Sequence, residues 1–325
     1  MLDPRIFVTK LALAAVLTTL LTAPALAQES PLATEAVTGD ADASQAVDEV
    51  VVRGRRLEDI KSDLRIHIRD FIGEVVRKPP GRGFARWHRN VCVGVYNLNN
   101  NAAQYVVDRI SKLALEVGLE PGEPGCVPQI NIVFATDAKE TAVAMVENEP
   151  RLFMPVAGHA GMDLGRVALE EFAQSEQAVR WWHVSLPVDA RMGGAAIELS
   201  DNCGEAFCPP TINVAGPSRI HSATRDDMLY VVVIVDATKL KGTTWQQLGD
   251  YLAVVSLCQI DPQTNPADFD SILNLFTNPK AYSGLTDWDR SYVRALYEFD
   301  QERIESMQTN AIVSLIAEQE LDRAR

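Results

Sequence analysis

From residue 91 onward, short uninterrupted apolar runs alternate with segments whose apolar residues recur at helical spacing. Uninterrupted runs of this length predict strands, whereas apolar residues three and four positions apart predict helices that bury one face. The run Met228–Val235 is apolar throughout, which is typical of a central strand buried on both faces of a sheet. In chain order we expect a strand at 91–95, a helix at 102–117, a strand at 130–134, helices at 139–146 and 167–177, strands at 181–188 and 228–235, and a helix at 244–259. This order predicts an α+β core over residues 88–300.

Amphipathic helices are predicted on both sides of this core. In residues 57–78, six apolar residues recur at helical spacing, and Pro79-Pro80-Gly81 ends the pattern. Residues 301–325 form a second helical pattern with one apolar face. We therefore expect an amphipathic helix and a basic loop over residues 57–87 and a separate C-terminal helix over residues 301–325.

The N-terminus has the pattern of a cleavable secretory signal. Arg5 and Lys10 precede an apolar or hydroxylic run, Leu11–Thr22, and Ala25-Leu26-Ala27 supplies the small residues of a cleavage site. A membrane-spanning helix needs about 20 apolar residues, which this run does not reach. We expect cleavage after Ala27, removal of residues 1–27 and export to the periplasm. Residues 28–56 then predict a disordered acidic linker.

Charge excludes one class of partner. The chain has a formal charge of −14, and residues 1–27 contain Asp3, Arg5 and Lys10, so the mature chain carries −15. An acidic protein repels the phosphate backbone, so we expect no nucleic-acid partner. No stretch after the signal is long and apolar enough for a membrane helix, so the mature chain is not expected to span a membrane.

Five cysteines remain after cleavage, in a compartment that permits disulfides. Cys203 and Cys208 are close together in a loop rich in glycine and proline, and they are the favoured pair. Cys92 and Cys126 are a weaker second pair. Cys258 lies inside an apolar helical pattern and is expected to be a buried thiol.

The segment near the C-terminus carries the most specific motif. Ser271-Ile272-Leu273-Asn274 is followed by Leu285-Thr286, Asp289, Val293 and Leu296-Tyr297. This pattern resembles the Met-turn and the last helix of metzincin zinc peptidases of the matrixin and serralysin kind. The resemblance covers about residues 244–298, and it implies a mixed sheet with a long central helix.

The same resemblance implies that the zinc site has been lost. In metzincins the long helix carries two histidines four positions apart, which face one zinc ion, with a glutamate as general base. Depending on register, the corresponding positions here hold Asp250 and Val254, or Gly249 and Ala253, and Leu273 replaces the Met-turn methionine. Valine and alanine cannot bind zinc in either register. We expect no catalytic residue and no cofactor at these positions.

A rearranged metal site is the alternative. His159, His183 and His221 are far apart in sequence, so they could hold a metal ion only if the fold brings them together. That arrangement predicts a zinc-dependent hydrolase or peptidase.

Two segments suggest binding to a partner instead. The first, Asp48–Arg56, contains Val50, Val51 and Val52 and resembles the Ton box of TonB-dependent outer-membrane receptors. Such an extended peptide binds by adding a strand to a partner's sheet, which implies a TonB-type partner and a Gram-negative source. The alternative is an ordinary strand or linker end that pairs within its own chain.

The second segment is a basic patch between residues 77 and 89. Its members are Arg77, Lys78, Arg82, Arg86, Trp87 and Arg89. These side chains could contact anionic lipid headgroups, a cell-wall polymer or an acidic partner. The alternative is a loop whose cations pair with the chain's own carboxylates.

Together these patterns predict an exported, non-catalytic binding protein of the bacterial envelope. Its expected partner is an envelope protein or a cell-wall or lipid component. The two alternatives are the metal-dependent hydrolase and a TonB-linked accessory protein.

Overall fold

The computed structural model describes residues 42–88, 90–154, 164–196 and 220–325. The chain divides into two units, Met1–Val52 and Arg53–Arg325. Of the first unit only residues 42–52 are described, and their backbone is helical.

A four-stranded mixed sheet lies at the centre of the second unit. Its strands are β1 (Val93–Tyr96), β2 (Ile130–Ala135), β3 (Val179–Asp189) and β4 (Thr224–Asp236). They lie in the order β1-β2-β4-β3, with β1, β2 and β4 parallel and β3 antiparallel to β4. The predicted α+β class is confirmed, and the predicted apolar run at 228–235 lies in β4, where it is buried continuously from Val231.

Strand β4 is central because it pairs on both edges. Val231 lies opposite Ile130 of β2 and His183 of β3, and Val231–Val235 are fully buried. Successive side chains of a strand point to opposite faces of a sheet, so an apolar run without alternation needs cover on both faces. Helices provide that cover on each side.

The described residues form eight helices. They are α1 (Asp42–Val75), α2 (Asn100–Glu116), α3 (Ala138–Asn148), α4 (Pro150–Phe153), α5 (Gly165–Gln174), α6 (Trp245–Leu257), α7 (Asp287–Glu298) and α8 (Glu305–Arg323). Residues of α2, α6, α7 and α8, and of the part of α1 after residue 64, pack on one face in the larger hydrophobic core. Residues of α3, α4 and α5 pack on the other face, against Trp182, Val232 and Ile234.

The helix that begins the second unit starts earlier than the sequence pattern predicts. Residues 42–56 belong to α1 in the structure, whereas a disordered linker was expected up to residue 56. The expected extended conformation of Val50, Val51 and Val52 also differs from their helical backbone. Part of the cause is composition, because alanine, glutamate and arginine favour a helix when a stable helix follows.

A buried carboxyl group joins the start of α7 to the loop before it. Asp289 is 1% exposed, and its oxygens accept hydrogen bonds from Ser271 Oγ at 2.6 Å and from the Ile272 amide at 2.9 Å. The Thr286 amide donates to the same carboxyl at 3.0 Å, and the Thr286 hydroxyl lies 2.8 Å from that carboxyl and 2.7 Å from the Asp270 carbonyl oxygen. Thr286 and Asp289 also form a capping box. One side chain therefore fixes both the helix start and the short turn Ile272–Asn274.

Cys92 and Cys126 form a disulfide that joins the segment before β1 to the loop before β2. This is the pair that the sequence ranked second. Cys203 and Cys208, the favoured pair, lie outside the described residues. Cys258 is a buried free thiol, as expected, and burial raises its pKa well above the usual range.

Replacing Asp289 tests the buried carboxyl. Asp289→Ala should lower the free energy of unfolding by about 3 kcal/mol, because the Ser271 hydroxyl and the amides of Ile272 and Thr286 lose their acceptor in a buried site. Asp287→Ala is the matched control, since Asp287 lies in the same helical turn with an exposed side chain. It should lower stability by less than about 1 kcal/mol. Urea unfolding of the three proteins measures the difference, and similar losses in both variants would contradict the assigned role.

Removing the disulfide should destabilise the protein through the unfolded state. The bond closes a loop with a sequence separation of 34. Cys92→Ser/Cys126→Ser should therefore lower stability by about 4 kcal/mol. Denaturant unfolding with and without reductant measures this loss. Reductant should destabilise the wild type by a similar amount, and a variant as stable as the oxidised wild type would contradict the prediction.

Candidate functional site

The helix on which the sequence resemblance places the expected zinc-ligand positions is α6. A capping box begins it: Gln247 donates its amide to Thr244 Oγ at 3.2 Å, and its side chain accepts from the Thr244 amide at 2.7 Å. From Gln247 to Leu257 every residue is buried. A metal-binding helix must turn at least one face towards a cleft, and this segment has no exposed face.

The two possible ligand registers on α6 hold structural residues. Asp250 accepts a hydrogen bond from Arg109 Nε of α2 at 2.8 Å and from the Leu285 amide at 2.9 Å. A side chain at Gly249 would place its Cβ 2.8 Å from Arg109 Cγ, so glycine allows α2 to pass. Val254 and Ala253, each 1% exposed, belong to the hydrophobic core.

The histidines of the alternative metal site are not brought together where they are described. His183 lies on β3, and its Nε2 lies 2.7 Å from the Val255 carbonyl oxygen of α6. It is opposite Val231, which lies roughly 23 Å along β4 from Thr224. His221 forms a β-bridge with Arg303 and lies only a few residues before Thr224. The segment between His221 and Thr224 is too short to reach from Thr224 back to Val231, so His221 cannot lie beside His183. His159 lies outside the described residues.

Across the described ranges, no three His, Cys, Asp or Glu side chains are placed to hold one metal ion. The neutral form of His183 suits its position, because burial lowers its pKa from 6.5 to about 4. A neutral ring donates Nε2–H to the Val255 carbonyl. The contact fixes β3 against α6.

An open crevice of about 790 Å³ lies at the carboxyl ends of β1, β2 and β4, and we call it the acidic crevice. In sheets with parallel strands, this edge is where ligands usually bind. Its lining residues are Asn97, Phe134, Ala135, Thr136, Asp137, Glu140, Thr141, Ala144, Met145, Asn148, Glu149 and Ala237. Three of these carry a carboxyl group, and none is basic.

Local hydrogen bonds shape the acidic crevice. Asn97 follows β1 with a φ of 60°, a left-handed conformation that asparagine tolerates, and its Nδ2 donates to the Phe134 carbonyl at 3.1 Å. Asp137 caps α3 by accepting from the Glu140 amide at 2.8 Å. The Trp245 ring contacts the Phe134 ring with centroids 6.4 Å apart, and Trp245 stays 45% exposed.

The predicted basic patch between residues 77 and 89 is not an exposed patch in the structure. Arg82 is 8% exposed and forms an ion pair with Asp226. Trp87 is 4% exposed and donates Nε1–H to the Ser256 carbonyl at 2.9 Å. Desolvating an unpaired cation is unfavourable, so the buried arginine requires this carboxylate.

The other members of the segment are also engaged within the chain. Arg77 pairs with Glu171 at 3.1 Å, and Lys78 pairs with Glu305. Arg86 donates to the Leu296 carbonyl at 2.9 Å, to the Phe299 carbonyl at 3.2 Å and to Gln301 Oε1 at 3.1 Å. Arg89 lies outside the described residues. The segment packs between β4 and the C-terminal helices and helps to join them.

A smaller pocket of about 400 Å³ lies beside this segment, and Arg86, Arg191 and Arg225 are among its lining residues. Arg225 is neutralised by Asp227, with contacts of 2.9 and 3.2 Å. Asp300 and Glu302 also line the pocket. Its arginines therefore do not form an open anion site.

Sequence reasoning missed the residues of the acidic crevice. A usable signal exists, because Asn97 and Thr136 each lie two positions after the end of a predicted strand. The carboxyl ends of parallel strands meet at one edge, so polar residues in these positions converge. Parallel pairing of β1, β2 and β4 was needed to apply that rule, and the hydrophobic pattern alone does not give it.

Comparisons with protein families, with curated proteins and with solved structures found no match to this chain. Among the described residues, no helix is both long enough and apolar enough to cross a membrane.

The position of His183 predicts acid sensitivity. Its pKa is about 4 in the folded chain and 6.5 in the unfolded chain, so only the unfolded chain gains a proton between those values. Stability should therefore fall as the pH falls from 6.5 towards 4. His183 contributes about 2 kcal/mol to the loss between pH 7 and pH 4.5.

Urea unfolding at both pH values measures that contribution. His183→Gln cannot titrate but can still donate to the Val255 carbonyl, so it should lose about 2 kcal/mol less than the wild type on acidification. His183→Leu also cannot titrate, and it should show the same reduced pH dependence with lower stability at pH 7. Unchanged pH dependence in both variants would refute the assignment.

Proposed function

We propose that this chain is an exported, non-catalytic binding protein of the bacterial envelope, built on a metzincin-like scaffold without a zinc site. The observation that carries the proposal is the burial of α6 from Gln247 to Leu257. A catalytic metal needs ligands on a surface that substrate and water can reach. On α6 those positions hold a paired aspartate, a glycine against Arg109, and two core residues.

The metzincin-like scaffold is supported by the placement of the elements. A mixed sheet has an antiparallel strand, β3, at one edge, and the long helix α6 follows β4 directly in the chain. The turn Ile272–Asn274 contacts α6 and is held to the start of α7 by Asp289. Each of these placements agrees with the order of elements in a metzincin catalytic domain.

An envelope location is supported by two independent features. Residues 1–27 have the pattern of a cleavable signal. The Cys92–Cys126 disulfide suits an oxidising compartment such as the periplasm. A TonB-type partner that contacts Val50, Val51 and Val52 stays a prediction.

Metal content and hydrolysis test the non-catalytic role. The mature chain, purified with its disulfide intact, should contain far less than one zinc ion per molecule by elemental analysis. Added zinc should leave its Tm unchanged, because a ligand that binds only the folded state would raise Tm. No hydrolysis of an unstructured protein such as casein should occur above the buffer blank.

His221→Gln is the variant that makes this test specific. Stoichiometric zinc that is lost in His221→Gln, together with casein hydrolysis that is lost in the same variant, would overturn the proposal in favour of the metal-dependent hydrolase. Zinc that persists in His221→Gln without hydrolysis would indicate adventitious binding and would leave the binding role intact.

A further inference from the structure

Two of the three carboxylates that line the acidic crevice have no ion-pair partner among the residues that the structure describes. Asp137, Glu140 and Glu149 line it, and no ion pair within the described ranges engages Glu140 or Glu149. Asp137 accepts a hydrogen bond from the Glu140 amide and also interacts with the positive charge of Arg180, so Glu140 and Glu149 carry the unbalanced charge. The chain's overall negative charge adds to the local potential. This cavity therefore attracts cations.

The two nearest lysines along the chain are held away from the acidic crevice. Lys139 Nζ lies 3.1 Å from Glu176 Oε1, and Lys239 Nζ lies 2.8 Å from the Glu176 carbonyl oxygen. Both lysines hydrogen-bond to the Glu176 side chain, and these contacts lower its pKa. Neither lysine is among the residues that line the crevice. Because Glu176 holds both lysines, neither lysine balances the charge of Glu140 or Glu149. A cationic ligand would balance it.

The spacing of the carboxylates selects an elongated cation. No three acidic side chains in the described part of the chain are close enough to share one metal ion. Glu140 and Glu149 lie nine positions apart along α3 and its C-cap, which corresponds to roughly 13 Å along a helix axis. A ligand that meets both carboxylates must therefore carry more than one positive charge, separated by a stem.

The lining between the carboxylates suits an aliphatic stem. Phe134, Ala144, Met145 and Ala237 supply apolar surface inside the acidic crevice. A ligand for this site needs an apolar stem and positively charged ends. Ammonium groups on methylene stems have both, because the stem contacts apolar surface and the charged end reaches a carboxylate. Thr141 and Asn148 line the same cavity and can accept further hydrogen bonds from an ammonium group.

We propose that the acidic crevice binds alkylammonium groups, with Glu140 and Glu149 receiving two ammonium ends and Phe134, Ala144 and Met145 contacting the methylene stem. The ligand is either a free linear polyamine or the lysine side chains of a peptide. This inference deepens the proposed binding role and rests on it, since it names the chemistry that the binding protein would recognise.

Calorimetric titration of the mature chain at physiological salt tests the site with spermidine and with a short lysine-rich peptide. At least one should bind with a 1:1 stoichiometry. 1,3-Diaminopropane should bind at least fivefold more weakly than spermidine, because its stem is too short to join the two carboxylates. The same peptide with acetylated lysines should not bind, because acetylation removes the charge.

Charge-matched variants separate the site from general attraction. Glu140→Gln/Glu149→Gln should weaken binding at least tenfold. Glu147→Gln/Glu170→Gln removes the same charge from exposed residues on α3 and α5 that do not line the crevice, and it should change the affinity by less than twofold. Amide chemical shifts of Thr141 and Ala144 should move on titration in the wild type and not in the first variant.

Each outcome decides the inference. Binding that is lost only in Glu140→Gln/Glu149→Gln supports the site, and the better of the two probes identifies the source of the ammonium group. Equal weakening in both double variants, or no binding of either probe, would overturn it. Metal content and casein hydrolysis are measured separately, so failure here is distinguishable from failure of the non-catalytic role.

Discussion

The burial of α6 on every side from Gln247 to Leu257 is the constraint on which the rest of the structure depends. A helix that is apolar around its circumference can exist in water only when other elements cover each face. Here the sheet, α2, α7 and the turn Ile272–Asn274 share that task. The single charged residue of α6, Asp250, must then be paired, because an isolated buried carboxylate is strongly unfavourable. Arg109 and the Leu285 amide satisfy it, and they fix α2 and the approach to α7 at the same time.

The same packing accounts for the structure of the motif near the C-terminus. The segment from Ser271 to Tyr297 is held by contacts that concern packing alone: Asp289 with Ser271 and Thr286, and the Tyr297 hydroxyl with the Leu257 carbonyl at 2.8 Å. None of these contacts requires a metal ion. On the proposed metzincin-like scaffold, the ligand positions of α6 are free to be core residues, provided that the helix end and the turn keep their geometry.

The sequence predicted the elements that depend on local patterns. The apolar run of β4 and the helical spacing of α2 and α6 are each encoded within a few residues, so their positions followed directly. Contacts between residues that are far apart in the sequence could not be predicted from such local patterns. Arg82 and Trp87 looked like members of an exposed patch, because their partners, Asp226 and Ser256, are about 140 and 170 positions away. The acidic crevice was missed for the same reason, since it exists only where parallel strands end together.

The charge balance of the chain links the basic segment of residues 77–89 to the acidic crevice. The chain has more acidic than basic residues, so every cation that is used internally leaves an unbalanced carboxylate elsewhere. Arg82 and Arg109 neutralise buried carboxylates that the fold cannot tolerate unpaired, and Arg290 pairs with Glu116. Glu140 and Glu149 lie at the surface, where solvation makes an unpaired charge inexpensive. Folding therefore directs the limited positive charge to buried carboxylates and leaves a concave surface negative. The interior determines where a cationic ligand would be attracted.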